Sequence, residues 1–193
     1  MTGQRRLSQA ISEGDGISLI APVDDLDAAR AAEAAGAEGL LLAADVPGVR
    51  DATSLPILWA GAGAAAAAAD GCVVAAADLG GGEGEAEERL ARLADSGLEC
   101  VVDVRDPDEL AAVLERLDPE IFLLSPRRGS NGEEALESVL DLLEDVPAGK
   151  LAIADLRVTT RDEIAELERA GVDAVTVGTR DVAGLAGAAP PEV

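Results

Sequence analysis

A chain of 193 residues, 48% of them hydrophobic, is long enough for one folded domain, and with one Trp, one Phe and no Tyr its core is built from Ala, Val, Leu and Ile. The 38 acidic residues against 15 basic ones leave a formal charge of −23, a field that repels nucleic acid and anionic membranes. There is no His, so Ser–His and Cys–His nucleophiles are excluded, and acid–base work falls to carboxylates, Lys150, the two cysteines or main-chain groups.

Residues 1–16 read as a lead-in with Leu7, Ala10 and Ile11 on one helical face, ended by Gly14-Asp15-Gly16. Ile17–Ala21 is the first strand. Pro22 stops it, Asp24-Asp25 cap a helix to about Ala35, and Gly36 ends that helix. Glu38–Ala43 is the second strand, Val46–Ser54 a link with at most one helical turn, and Pro56–Ala60 the third strand. The run Ala64–Ala69 predicts a short, thin helix, since Ala has the highest helix propensity. Cys72–Ala76 is the fourth strand. Gly80-Gly81-Gly82 reads as a flexible link, lacking the Lys-Ser/Thr of a phosphate loop, and leads to a helix over Glu83–Ala94.

Three strand–helix units follow. Leu98–Val104 precedes a helix opened by Asp106-Pro107-Asp108-Glu109. Ile121–Leu124 precedes one opened by Asn131-Gly132-Glu133-Glu134, and Leu151–Asp155 precedes one opened by Thr160-Arg161-Asp162-Glu163. Ala174–Gly178 is the eighth strand, and Asp181–Leu185 a last helical turn before Pro190-Pro191. Cys72 and Cys100 lie inside apolar strand runs, where buried, reduced thiols are expected rather than a disulfide framework or a metal site. No signal peptide and no bilayer-length apolar run is visible, so the expected location is the cytoplasm.

Strands alternating with helices at this rhythm imply a parallel sheet. An internal echo supports a repeating design: Ala35-Gly36-Ala37-Glu38-Gly39-Leu40 matches Ala170-Gly171-Val172-Asp173-Ala174-Val175, with Ser96-Gly97-Leu98-Glu99 a weaker copy. Eight units fit a closed (βα)8, or TIM, barrel over residues 1–193 as one domain, with a lead-in at 1–16 and a tail at 186–193. Barrels of this kind rarely fall below about 200 residues, so the loops are expected to be short and one or two helices stunted. An open doubly wound sheet is the rival, but the dinucleotide fingerprint is absent.

Several of these stretches resemble the indole-3-glycerol phosphate synthase family, a ribulose-phosphate-binding barrel of tryptophan biosynthesis that closes and decarboxylates a carboxyphenylamino-deoxyribulose phosphate. The likeness runs over about residues 5 to 185. It is carried by Leu7-Ser8-Gln9-Ala10-Ile11 with Gly16-Ile17-Ser18-Leu19-Ile20-Ala21, and by Ser54-Leu55-Pro56-Ile57-Leu58. It continues through Gly97-Leu98-Glu99 to Leu110, Thr160-Arg161-Asp162-Glu163-Ile164, and Ala170 through Gly178.

What the resemblance implies for chemistry goes position by position. The family's Glu-x-Lys of strand 1 falls on Leu19, Ile20 and Ala21, and its general-acid lysine of strand 3 on Ala60. Its strand 5 glutamate falls on Asp103, its Asn-x-Arg of strand 6 on Ser125-Pro126-Arg127, its Glu-Ser-Gly of strand 7 on Asp155-Leu156-Arg157, and its phosphate-binding Gly-Ser of strand 8 on Gly178-Thr179. Both lysines are lost, and Lys150 precedes strand 7, at the opposite end of a barrel. In the family reaction a lysine ammonium protonates the leaving hydroxyl, and losing a positioned general acid costs about 10²–10⁴ in rate. Little or no synthase activity is expected.

One further pattern marks the strand ends. Asp103-Val104-Arg105, Ser125-Pro126-Arg127 and Asp155-Leu156-Arg157 each read acid or hydroxyl, one residue, arginine; Thr179-Arg180 follows strand 8, and Asp45 and Asp78 end strands 2 and 4. Period-two spacing puts each pair on one strand face, which in a barrel can point into the mouth. As a site, Arg105, Arg127, Arg157 and Arg180 would hold a small phosphorylated or carboxylated ligand, helped by main-chain groups of Gly178 and Thr179 as in the resembled family. Asp103, Asp155 and Ser125 are then the candidate catalytic groups. As a plug, the aspartates and arginines neutralise one another and close a disused mouth. Three functions stay open: a barrel without catalytic lysines that keeps an anion site; an active synthase, or related sugar-phosphate lyase or isomerase, working through Asp103 and Asp155; or a non-catalytic barrel that binds itself or a partner. A monomer or weak homo-oligomer is expected, with no cofactor.

Overall fold

The computed structural model describes residues 5–13, 16–62, 68–80, 84–178 and 182–186. The apolar runs become parallel strands β1 (Ser18–Pro22), β2 (Gly39–Leu42), β3 (Ile57–Trp59), β4 (Gly71–Ala75), β5 (Glu99–Val104), β6 (Ile121–Leu124), β7 (Leu151–Val158) and β8 (Ala174–Val177). They pair in chain order, and β8 closes on β1 through Ser18↔Ala174, making a barrel. The helices are α1 (Arg6–Ser12), α2 (Leu26–Ala34), α3 (Val49–Ala52), α4 (Glu85–Asp95), α5 (Pro107–Arg116), α6 (Glu133–Glu144), α7 (Arg161–Ala170) and α8 (Val182–Leu185). No helix among the described residues is long and apolar enough to cross a membrane.

Local chemistry explains the helix starts. Asp25 accepts the Ala28 N–H, and Asp106 the Glu109 N–H with Pro107 in the first turn. Thr160 and Glu163 form a reciprocal capping box at α7. The stunted helices are α3 and α8, four residues each. Ala76, expected as the end of the fourth strand, instead begins a 3-10 turn over Ala76–Leu79. The helix expected from Glu83 begins at Glu85 within the described residues, and Ala64–Ala67 and Gly81-Gly82-Glu83 lie outside them. Ala68 and Ala69 are not helical.

Strand alternation sorts the core into two layers. Leu40, Leu42, Val102, Val104, Phe122, Leu124, Val175 and Val177 pack outward with Ala32, Leu110, Val139 and Leu167 of the helices. Ile20, Leu58, Val101, Ile121, Leu123, Ile153 and Ala174 pack inward, together with Leu7 and Ile11 of α1. Helix α1 therefore closes the barrel floor. Gly71 on β4 makes room for it, since a Cβ there would lie 2.8 Å from Leu7 Cδ2.

The floor also gives the sequence echo a physical meaning. Gly36, Gly97 and Gly171 all take left-handed φ values, of 96°, 79° and 99°, to turn the chain into the next strand. Two residues on, each copy carries an acid whose carboxylate accepts main-chain N–H groups. Glu38 takes Leu19 N–H at 3.3 Å and Asp173 takes Ala152 N–H at 2.8 Å, each from the preceding strand. Glu99 takes Leu7 N–H at 2.7 Å and Ser8 N–H at 3.1 Å. Helix α1 has no side-chain cap of its own, so Glu99 supplies one from 91–92 residues away. Asp70 completes the floor by holding Arg6 at 3.2 Å, Arg50 at 2.9 Å and the Ile57 N–H at 2.9 Å.

Candidate functional site at the barrel mouth

The inner layer predicts what the mouth contains. Moving two residues beyond Ile20, Leu41, Leu58 and Val73 gives Pro22, Ala43, Ala60 and Ala75. Moving two beyond Val101, Leu123, Ile153 and Ala174 gives Asp103, Ser125, Asp155 and Thr176. By alternation the mouth divides into two halves, one of three alanines and a proline, the other of two carboxylates and two hydroxyls. Thr176 escaped the sequence reading; a polar residue in the apolar run Ala174–Val177 was the available signal. Leu19 and Ala21, matched above to the family's strand 1 Glu and Lys, point outward into the helix layer instead. Ile20 and Pro22 hold the inward positions, because a one-residue shift along a strand exchanges its faces.

Asp103 is 6% exposed, and both its carboxylate oxygens are taken. Oδ1 accepts the Ser125 hydroxyl at 2.5 Å, and Oδ2 accepts Arg105 Nη2 at 2.9 Å. Ser125 is buried, while the Arg105 side chain is half-exposed and has further N–H groups beyond the one given to Asp103. Its backbone N–H donates to Glu109 Oε2 at 2.8 Å, tying the end of β5 to the first turn of α5. The carboxylate of Asp103, the hydroxyl of Ser125 and the guanidinium of Arg105 are therefore brought together, whereas the sequence pattern sets Ser125 beside Arg127.

The third pair departs from expectation. Asp155-Leu156-Arg157 does not follow β7; it lies inside it, as a bulge. Ala154 pairs with Val175 and Val158 with Val177, so three residues of β7 face Thr176 alone. Arg157 takes φ 49°, the left-handed value seen among the described residues at no other non-glycine. Alternation is lost across the bulge: Asp155 is half-buried at the mouth and Arg157 is exposed. Asp155 is not paired with Arg157 among the described residues; its Oδ1 accepts the Thr176 hydroxyl at 2.9 Å, and Thr176 Oγ1 accepts the Arg157 N–H at 3.1 Å.

Arg127 is exposed in the loop after β6, Asp45 is exposed after β2, and Asp78 is exposed in the 3-10 turn. Arg127 and Arg157 are both exposed and form no ion pair among the described residues. Gly178 directly follows β8, while Thr179 and Arg180 lie outside the described residues. No group of three or more metal-ligating side chains comes together among the described residues. Lys150 sits at the far end of the barrel, just before β7, bonded through Nζ to Asp118 at 2.5 Å.

Comparison with known proteins places this barrel among relatives. The similarity is to indole-3-glycerol phosphate synthase. The enzyme of that name from Variovorax paradoxus is 34% identical over 82 residues, 42% of this chain and 30% of its own length. Those from Shouchella clausii and a Geobacillus species are 29% identical over 82 residues and 30% identical over 84. The matched stretch covers about a third of these curated relatives, 30–33% of their length. No family model matches the chain. Among solved structures, thiamine phosphate pyrophosphorylase from Pyrococcus furiosus superposes with a TM-score of 0.63 at 16% identity, over 88% of this chain and 93% of its own. The N-acetylmannosamine-6-phosphate 2-epimerase from Clostridium perfringens gives 0.64 at 15% identity, over 85% and 87%. The likeness to indole-3-glycerol phosphate synthase is thus one of partial sequence, and the likeness to the two solved structures one of fold.

Proposed function

We propose that this barrel binds a small phosphorylated or carboxylated ligand at its mouth and does not carry out the synthase reaction. The observation that carries this reading is the position of Lys150. It is the chain's one lysine, it stands on the floor side of the barrel, and its ammonium is engaged by Asp118. The reaction implied by the resemblance needs ammonium groups at the mouth, where the inward side chains of the first four strand ends are Pro22, Ala43, Ala60 and Ala75. Guanidinium groups hold a proton too tightly to serve as general acids near neutral pH. They suit anion binding instead, and Arg105, Arg127 and Arg157 stand on three successive strand ends.

Asp103 favours a positioning role over a catalytic one. With one oxygen on Ser125 and the other on Arg105, it aims a guanidinium fork rather than waiting for a proton. Among the described residues, that engaged pair makes Asp103–Arg105 the place where the plug reading has support. The test is turnover of the synthase substrate, followed by fluorescence of the indole product. No turnover above background is expected; turnover that Asp103→Ala abolishes would overturn the proposal.

A further inference from the structure

The chain's two cysteines stand 28 residues apart in sequence and directly opposite one another in the sheet. Parallel pairing aligns Leu42, Trp59, Cys72 and Cys100 in one row across β2, β3, β4 and β5. Val73 and Val101, the next residue along each strand, turn inward, so both thiols emerge on the outer face. Adjacent strands run about 4.8 Å apart. That lies within the Cα separation of about 4.4–6.8 Å that a disulfide spans.

Their surroundings are shared as well. Burial raises the Cys72 thiol, and burial followed by the Cys72 sulfur pushes Cys100 up to about 12, while the Arg89 guanidinium draws both down. Both cysteines are free. Helix α4, which packs against β5, buries only Ala86 fully. Beside it runs a groove of about 500 Å³ walled by Leu90, Ala94, Leu98 and Ile121, with Cys100 in its lining.

We propose that Cys72 and Cys100 form a reversible disulfide when the protein meets a peroxide, stapling β4 to β5 beneath the loosely seated α4. Cys100, reached from the groove, reacts first. Its thiolate attacks one peroxide oxygen, the O–O bond breaks, and the departing hydroxide leaves as water with the proton the thiol gave up. The Cys72 sulfur then attacks Cys100 sulfur in the resulting sulfenic acid. The S–S bond forms, the S–O bond breaks, and the released hydroxide takes the Cys72 proton as a second water. Two thiols are oxidised and one peroxide is reduced to two waters. Because burial disfavours the thiolate, the reaction is slow at neutral pH and quickens about tenfold per pH unit below the thiol pKa.

The full chain is treated with hydrogen peroxide at pH 7 and pH 9, and read by intact mass, by alkylation after unfolding and by Trp59 emission. The expected product is a single chain lighter by two hydrogen atoms, with both thiols lost together and restored by dithiothreitol. It forms about a hundredfold faster at pH 9, and Trp59 is quenched by the adjacent disulfide. In Cys72→Ser the reaction stops at a Cys100 sulfenic acid that dimedone captures, which the wild-type chain does not yield. Mass gained as oxygen on separate cysteines, a cross-link between two chains, or two thiols still alkylatable at pH 9 would each overturn the proposal.

Discussion

The Thr176 hydroxyl accepts the backbone N–H of Arg157 at 3.1 Å and so pins the bulge of β7 to β8. The same hydroxyl donates to Asp155, making one buried oxygen responsible for a strand's shape and a carboxylate's aim. Thr176→Val keeps the volume and removes both bonds. It is expected to lower stability by about 1 kcal/mol, the usual net worth of hydrogen bonds whose partners keep some access to water. Thr176→Ser should lose less than half of that. Urea unfolding followed by Trp59 emission measures both.

Arg157 carries a side chain where the backbone favours glycine. A non-glycine residue in the left-handed region costs roughly 1 kcal/mol or more. Arg157→Gly is therefore expected to raise the unfolding midpoint while removing a rim guanidinium. The stability gain is read by thermal melting; a loss would mean that the arginine makes a stabilising contact of its own.

Two acids should give stability opposite dependences on pH. Burial raises Asp173, partly offset by the N–H groups it accepts. Its contribution is full below the unfolded pKa and is lost as pH rises through the raised folded value. Asp173→Asn keeps an acceptor for Ala152 N–H without the charge. Its melting temperature relative to wild type should therefore climb as pH rises from about 3 through the raised pKa. Glu163 runs the other way: burial raises it, but the Thr160 hydroxyl and the Thr159 and Thr160 N–H groups outweigh burial and lower it. Its contribution is present above the unfolded pKa and is lost as pH falls through the lowered folded value. Thr160→Ala should flatten that acid limb in melting curves taken across pH.

Glu99 tests the floor. Glu99→Ala leaves the first N–H groups of α1 without their carboxylate and loosens Leu7 and Ile11 from the inner layer. A loss of about 2 kcal/mol is expected. Glu99→Gln, which keeps an acceptor oxygen, should recover part of it. Hydrogen exchange at α1 distinguishes local release from a general loss of stability.

What the sequence disclosed and what it hid follow a physical divide. Apolar runs, the caps at Asp25, Asp106 and Thr160, and the turning glycines Gly36 and Gly171 are local signals, and the barrel follows from their order. Asp103 and Arg105 could be set on one face from the sequence because period two holds to the end of β5, but the Ser125 hydroxyl on Asp103 is a cross-strand contact that appears only once β6 pairs with β5. The bulge at Asp155–Arg157 was not, since nothing in an arginine's chemistry announces a left-handed φ. Glu99 and Asp70 hid for another reason: their partners lie far off in the chain and meet only once the floor has closed. The same holds for Cys72 and Cys100, whose sequence spacing conceals their shared register.

The most direct test of the anion site is thermal melting of the protein titrated with inorganic phosphate, against potassium chloride at matched ionic strength to remove general screening of its −23 charge. A ligand of the folded state raises stability by about 2.7 kcal/mol at a hundred times its dissociation constant. Wild-type protein is predicted to melt higher as phosphate rises through the millimolar range, with the response weakened in Arg105→Ala and in Arg157→Gly. A melting temperature that phosphate leaves unchanged, or raises equally in all three proteins, would contradict an anion site at the mouth.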